Sequence, residues 1–241
     1  SETLGTAVRH AYWVDGYVKL NVPFYSSQPL GEAPARAQLF FEQSVLAFRS
    51  GHPYWGARFL AWATHYVQDA ATPVHAVQVL SLSMLRLDPA DIVRLTSYYH
   101  YAFERCASEM ISGRAGEEVA RRIALSAAVA GAAPNAADAE ELTRATAQAS
   151  ALQLAASIQD IKEFLPAEPA AGTLDPAAFA GSEAFGAEFD AAVASRPESL
   201  FRFRALMQVL LQDAARATRA LVEMTLKEEA AAPMLTERRP F

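Results

Sequence analysis

One cysteine, Cys106, is all that the 241-residue sequence holds. No internal disulfide framework and no cysteine-rich zinc ribbon can form, so any metal must be held by His, Asp and Glu. Positive charge is short as well. The 21 Lys and Arg face 27 Asp and Glu, a formal net charge of −6, which leaves no global positive field to draw in nucleic acid. Long hydrophobic runs are missing: "IALSAAVAGAAPNAA" at 123–137 is Ala-rich, too short to span a bilayer and broken by Pro134. The opening "SETLGTAVRHAYW" has no basic stretch followed by an apolar one, so no signal peptide is visible. Sustained period-2 alternation of β-branched residues is also wanting, which predicts few or no strands. Only "YVKLNVPFY" at 17–25 is ambiguous.

What is present is a chain that is 52% hydrophobic and long enough to bury a sizeable core. Its periodicity is helical almost throughout, and the predicted class is all-α, a multi-helix bundle forming one domain over 1–230 with a polar tail at 231–241. Residues 35–49 place Leu39, Phe40, Val45, Leu46 and Phe48 mostly along one face. Gly51 ends that helix and Pro53 starts the next, whose stripe is Phe59, Trp62, Ala63 and Tyr66. Pro73 closes this segment, because proline has no N–H for the ladder and disfavours the α region at Thr72. "DPAD" at 88–91 reads as a helix start with Asp88 as N-cap, running to about Ser112 before Gly113. Helices are further expected over 115–131 and 138–165. The stretch 166–199, which holds Pro166, Pro169, Pro176 and Pro197, reads as mostly loop with one or two short helices, and a long amphipathic helix follows from about Pro197 to Glu229.

The chemistry gathers around five histidines. "HYVQDAATPVH" at 65–75 puts His65 and Asp69 at i and i+4, so both project from one helix face. That spacing suits two ligands of one divalent ion, since imidazole nitrogen and carboxylate oxygen bind zinc at roughly 2.0 to 2.2 Å. His75 follows the proline, where the chain turns. His100 and Glu104 repeat the i, i+4 pair on a second helix. Taken alone, either pair is more often a solvated surface pair than a ligand set. Together they lie in apolar surroundings, "LAWATHYVQDA" and "SYYHYAFERC", where an unpaired charge costs several kcal/mol and a metal satisfies both.

With these residues assembled, the sequence resembles the zinc-dependent phospholipase C and S1/P1 nuclease family of all-α enzymes. The family signature is a His, an Asp four residues on, then a Pro and a His; here it reads "HYVQDAATPVHA", with His65, Asp69, Pro73, His75 and Ala76 in register. The family's downstream His and acidic residue match His100 and Glu104 in "HYAFE", and its histidine about fifty residues before the signature matches His10 in "VRHAYWVD". The likeness covers roughly the first 105 residues well and the later helices loosely. It implies that His10, His65 and Asp69 serve one zinc, with Asp69 bridging toward a neighbour and acting in catalysis, and that His75, His100 and Glu104 hold another. Two zinc ions, or three, are implied. Tyr66, Tyr99 and Tyr101 lie near the ligands as candidate substrate contacts, each more often core packing. His52 matches nothing in the pattern and reads as the flank of a helix start.

Departures from the family lie upstream. Its N-terminal tryptophan ligand, a further histidine and an aspartate have no counterpart, because nine residues precede His10. Trp13 is internal, and Glu2 and Asp15 are out of register. The expectation is a natural segment ahead of Ser1, or else a two-metal site. The resemblance implies hydrolysis of phosphodiesters by a metal-activated water in a secreted or periplasmic bacterial enzyme. Phospholipase C-type cleavage of phospholipid head groups, with transient contact with a membrane surface, is favoured; no stable nucleic-acid complex is expected from an acidic chain. The alternatives are a single-strand nuclease of the S1/P1 kind and a non-catalytic zinc-binding helical module.

Overall fold

A computed structural model describes residues 9–14, 29, 31–77, 89–111, 131–132, 134–164 and 183–231. Among them are eight helices and no strand: α1 Ala33–Arg49, α2 Pro53–Ala70, α3 Pro73–Ala76, α4 Pro89–Ile111, α5 Ala139–Ala151, α6 Leu154–Phe164, α7 Glu183–Ser195 and α8 Pro197–Ala231. The all-α class is as the periodicity predicts. No helix among the described residues is long and apolar enough to cross a membrane. Asp88, Gly113, the expected helix over 115–131 as far as residue 130, "YVKLNVPFY", Glu2, Asp15 and the tail beyond Ala231 lie outside the described residues.

α1 and α2 form an antiparallel hairpin. Gly51 closes α1 at φ +74, a left-handed backbone that glycine adopts at little cost, and Pro53 takes the first position of α2, where a missing N–H is harmless. His52 is the N-cap residue, as expected of a helix flank. Across the hairpin the Ser44 hydroxyl donates to the Gly56 carbonyl at 2.8 Å, and Phe40 packs on Trp62 and Tyr66 with ring centroids 5.1 and 5.9 Å apart.

The buried face is not the one that the large side chains suggest. Leu39 is 49% exposed, Leu46 55% and Trp62 39%, whereas Ala33, Ala37, Ala63, Ala70, Ala139 and Ala147 are essentially inaccessible. Small residues let α1, α2 and α5 approach closely, and the bulkier neighbours are displaced to the margin.

Two core clusters result. One gathers Tyr98, Tyr99, Phe103, Ile161, Phe185, Phe189 and the first half of α8; the other gathers Phe41, Val45, Tyr66, Val67, Leu142 and Leu221 from α1, α2, α5 and the second half of α8. α8, 35 residues and about 52 Å long at 1.5 Å per residue, serves both. The same division explains why the helix expected over 138–165 is two helices. α5 packs into the second cluster and α6 into the first, so the chain must change direction at Leu152 and Gln153; Leu152 is left 84% exposed. The Ser150 hydroxyl, donating to the Ala70 carbonyl at 2.7 Å, holds the end of α5 against the end of α2. α7, 13 residues long, is the one described helix in the stretch expected to be mostly loop.

Candidate metal centre

The end of α2 sets the geometry. The helix stops at Ala70, Thr72 is extended (φ −96, ψ 120), and Pro73 opens the single turn α3. Thr72 donates its N–H to the Asp69 carbonyl at 2.9 Å, and His75 donates its own to the Thr72 carbonyl at 2.9 Å. Pro73 therefore both ends one helix and begins another. α3 straddles the division of the core, with Val74 in the first cluster and Ala76 in the second. His75, between them, is held at the seam and is buried.

The first candidate group combines two distant parts of the chain. His65 and Asp69 come from one face of α2, and His10 arrives from the segment before Ala11. The Asp69 Oδ2 lies 3.0 Å from His10 Nδ1 and 3.4 Å from His65 Nε2. The His10 ring stacks on Tyr66 at 5.3 Å between centroids, 25° from parallel. Asp69 has only 15% of its side chain exposed, against 54% for His65, so the carboxylate sits at the base of the group and an imidazole at its mouth.

The second group joins α3 to α4. Glu104 Oε1 lies 3.2 Å from His75 Nε2 and 3.1 Å from His100 Nε2, and the two imidazole rings meet edge to face at 4.5 Å. Burial alone raises the Glu104 carboxyl. Hydrogen bonds from His100 and His75, reinforced by their charge, outweigh that and hold it well below the usual carboxylate range.

All six residues singled out as ligands in the sequence are thus brought together, three and three, and each triad can hold a metal ion. Their spacing fits one. Two ligands about 2.1 Å from an ion at a tetrahedral angle lie about 3.4 Å apart, and the four carboxylate–imidazole distances run from 3.0 to 3.4 Å. Two imidazoles and one carboxylate, with a fourth position left open, is a donor set that catalytic zinc uses.

The three tyrosines differ in placement. Tyr66 is buried under His10, and Tyr101 is half-buried beside His100 with centroids 5.5 Å apart. Tyr99 is 2% exposed, inside the first core cluster, with Lys162 Nζ 5.4 Å from its ring centroid. Sequence reasoning missed the residues that join the triads. Tyr12 and Val14 donate their N–H groups to the carbonyls of His75 and Ala76, each at 2.9 Å. Backbone pairing between segments about sixty residues apart carries no side-chain signature.

Fold and site together define an all-α protein with two adjoining His, His, carboxylate groups. No family model, no curated protein and no solved structure matches the chain.

Proposed function

We infer that the protein is a zinc-dependent phosphodiester hydrolase that removes head groups from phospholipids. The observation that carries this reading is the pair of N,N,O triads linked through residues 12–14 and 75–76. His10, His65 and Asp69, and His75, His100 and Glu104, would each hold an ion, and the chemistry supplied with an ion bound would be polarisation of a phosphoryl oxygen and a water whose pKa is lowered toward about 7. The overall reaction adds water across one P–O ester bond and releases a phosphomonoester and an alcohol.

The chain's own residues orient and tune. Asp69 and Glu104 each align two imidazoles through a single oxygen, so the ring nitrogens of a triad converge before any ion arrives. Tyr66, flat against His10, limits that ring's rotation. His75 is buried, and its backbone N–H, donated to the Thr72 carbonyl at 2.9 Å, holds the residue in the turn after Pro73. Asp69 is the residue we assign to catalysis, as the carboxylate that would hold an ion with His10 and His65 and the least exposed member of that triad.

The formal charge of −6 favours a zwitterionic phospholipid over a nucleic acid, whose binding rests on phosphate neutralisation. The same reading places the protein outside the cytoplasm, touching membrane surfaces transiently. The test is hydrolysis of phosphatidylcholine in mixed micelles and of single-stranded DNA by protein purified without chelators. Zinc-dependent release of phosphocholine, with DNA left intact, is expected. Protein that carries no zinc and cleaves neither substrate overturns the proposal.

A further inference from the structure

Beside the second triad, α4 and α8 leave a cavity of about 590 Å³, within the roughly 300–1,000 Å³ of small-molecule sites. Its wall has two chemistries. Gln68 and Thr72 at the end of α2, with Glu104 and Ser108 of α4, make a polar rim, and Phe103, Met207 and Leu210 make an apolar floor. The floor residues are buried members of the first core cluster. The Gln68 amide donates to the Thr218 hydroxyl at 3.1 Å, which fixes the rim to α8. Glu104 belongs to the cavity rim and to the second triad at once.

The polar side chains stand on α2 and α4, with Gln68, Thr72 and Glu104 next to the triads and Ser108 one turn further along α4, while the α8 wall is apolar throughout, which calls for a ligand with one polar side. Gln68, Thr72 and Ser108 supply side-chain donors on the α2 and α4 walls, but the α8 wall of Met207, Leu210, Leu211, Ala214 and Ala215 offers none to a group that lies against it. A hydrocarbon chain needs none and gains from each methylene it buries.

We propose that this cavity seats the hydrocarbon chain of an amphiphilic phosphodiester whose phosphate end lies at His75, His100 and Glu104. The inference rests on the phosphodiester hydrolase reading and adds where the apolar part of the substrate goes. n-Alkylphosphonates from hexyl to decyl, kept below micelle-forming concentrations, test it by calorimetric titration of the full zinc-loaded chain; their P–C bond is not an ester and survives the experiment. Affinity should rise with chain length, by as much as about fourfold per methylene while the cavity fills. Ala214→Trp, which fills the space, should abolish the rise while zinc content stays at the wild-type value. Leu211→Gln makes the same test through polarity rather than bulk, should the larger substitution fail to fold.

Affinity that ignores chain length in the wild type, or a rise that survives both substitutions, overturns the inference even if phosphodiesters are hydrolysed. A rise with chain length that both substitutions abolish, in a protein that hydrolyses no phosphodiester, upholds the cavity and removes the enzymatic reading.

Discussion

Tyr12 donates its backbone N–H to the carbonyl of His75 at 2.9 Å. The segment that delivers His10 to the first triad is thereby pinned to the residue that begins the second. Val14 repeats the contact at Ala76, so the two triads share a backbone frame, and a displacement of either segment is felt by the other.

Metal stoichiometry is the first consequence. Wild-type protein should bind two zinc ions per chain by elemental analysis. Asp69→Asn and Glu104→Gln should each lose about one, because each removes the only carboxylate of a triad. His65→Ala and His75→Ala should likewise lose about one each, whereas His52→Ala, at the N-cap of α2, should lose none. Since an ion that binds only the folded state stabilises it by about 2.7 kcal/mol at a hundredfold excess over Kd, chelation should lower Tm by about 5 to 10 °C per emptied site in a chain of this size.

Acid stability of the metal-free protein follows from Glu104. Its folded-state pKa is depressed below the ordinary value of 4.5 by His100 and His75, so its contribution to stability is complete above that value and is lost as pH falls through the folded-state pKa. With 46% of its side chain exposed, the group contributes only modestly. The Tm difference between wild type and Glu104→Gln, measured after chelation, should have its full size above about pH 4.5 and should shrink progressively below it. A difference that grows on acidification would contradict the pairing.

Much of the site was legible because its ligands lie at helical spacings. His65 with Asp69 and His100 with Glu104 are pairs whose geometry a 3.6-residue period dictates, and Pro73 marks where the chain must turn before His75. The packing was less legible. Leu39, Leu46 and Trp62 look like core residues by hydropathy, yet alanines hold the contacts between α1, α2 and α5. The break at Leu152 has no glycine or proline to announce it, because it comes from two core clusters drawing α5 and α6 apart. Likewise the cavity beside Glu104 depends on which face of α8 meets α4, and no local pattern states that.

Tyr66 offers a test of whether ring stacking positions His10. The rings lie 5.3 Å apart and 25° from parallel. Tyr66→Phe retains the stacked ring and should keep the first zinc, whereas Tyr66→Ala removes it and should weaken that ion selectively. Zinc titration against a competing chelator resolves the two sites. Equal weakening of both by Tyr66→Ala would indicate general loosening of the second core cluster, of which Tyr66 is a member.

Gly31 connects backbone conformation to the site most directly. Its φ is +139, a region essentially confined to glycine, and a Cβ built there would stand 2.0 Å from the Ala11 carbonyl oxygen. Two residues on, the Ala33 N–H donates to that same carbonyl at 3.3 Å. The close approach of residues 31–33 to Ala11 thus supports the segment that presents His10 on one side and bonds to His75 through Tyr12 on the other. Gly31→Ala should cost at least about 1 to 3 kcal/mol from the backbone alone, with the clash adding to it. Because relief of the clash must move Ala11, the first triad should lose affinity for zinc more than the second, whose His100 and Glu104 stand on α4. Denaturant unfolding gives the stability change, and the zinc titration shows where it falls. A destabilised Gly31→Ala protein with both zinc affinities intact would sever Gly31 from the metal centre and leave it a role in folding alone.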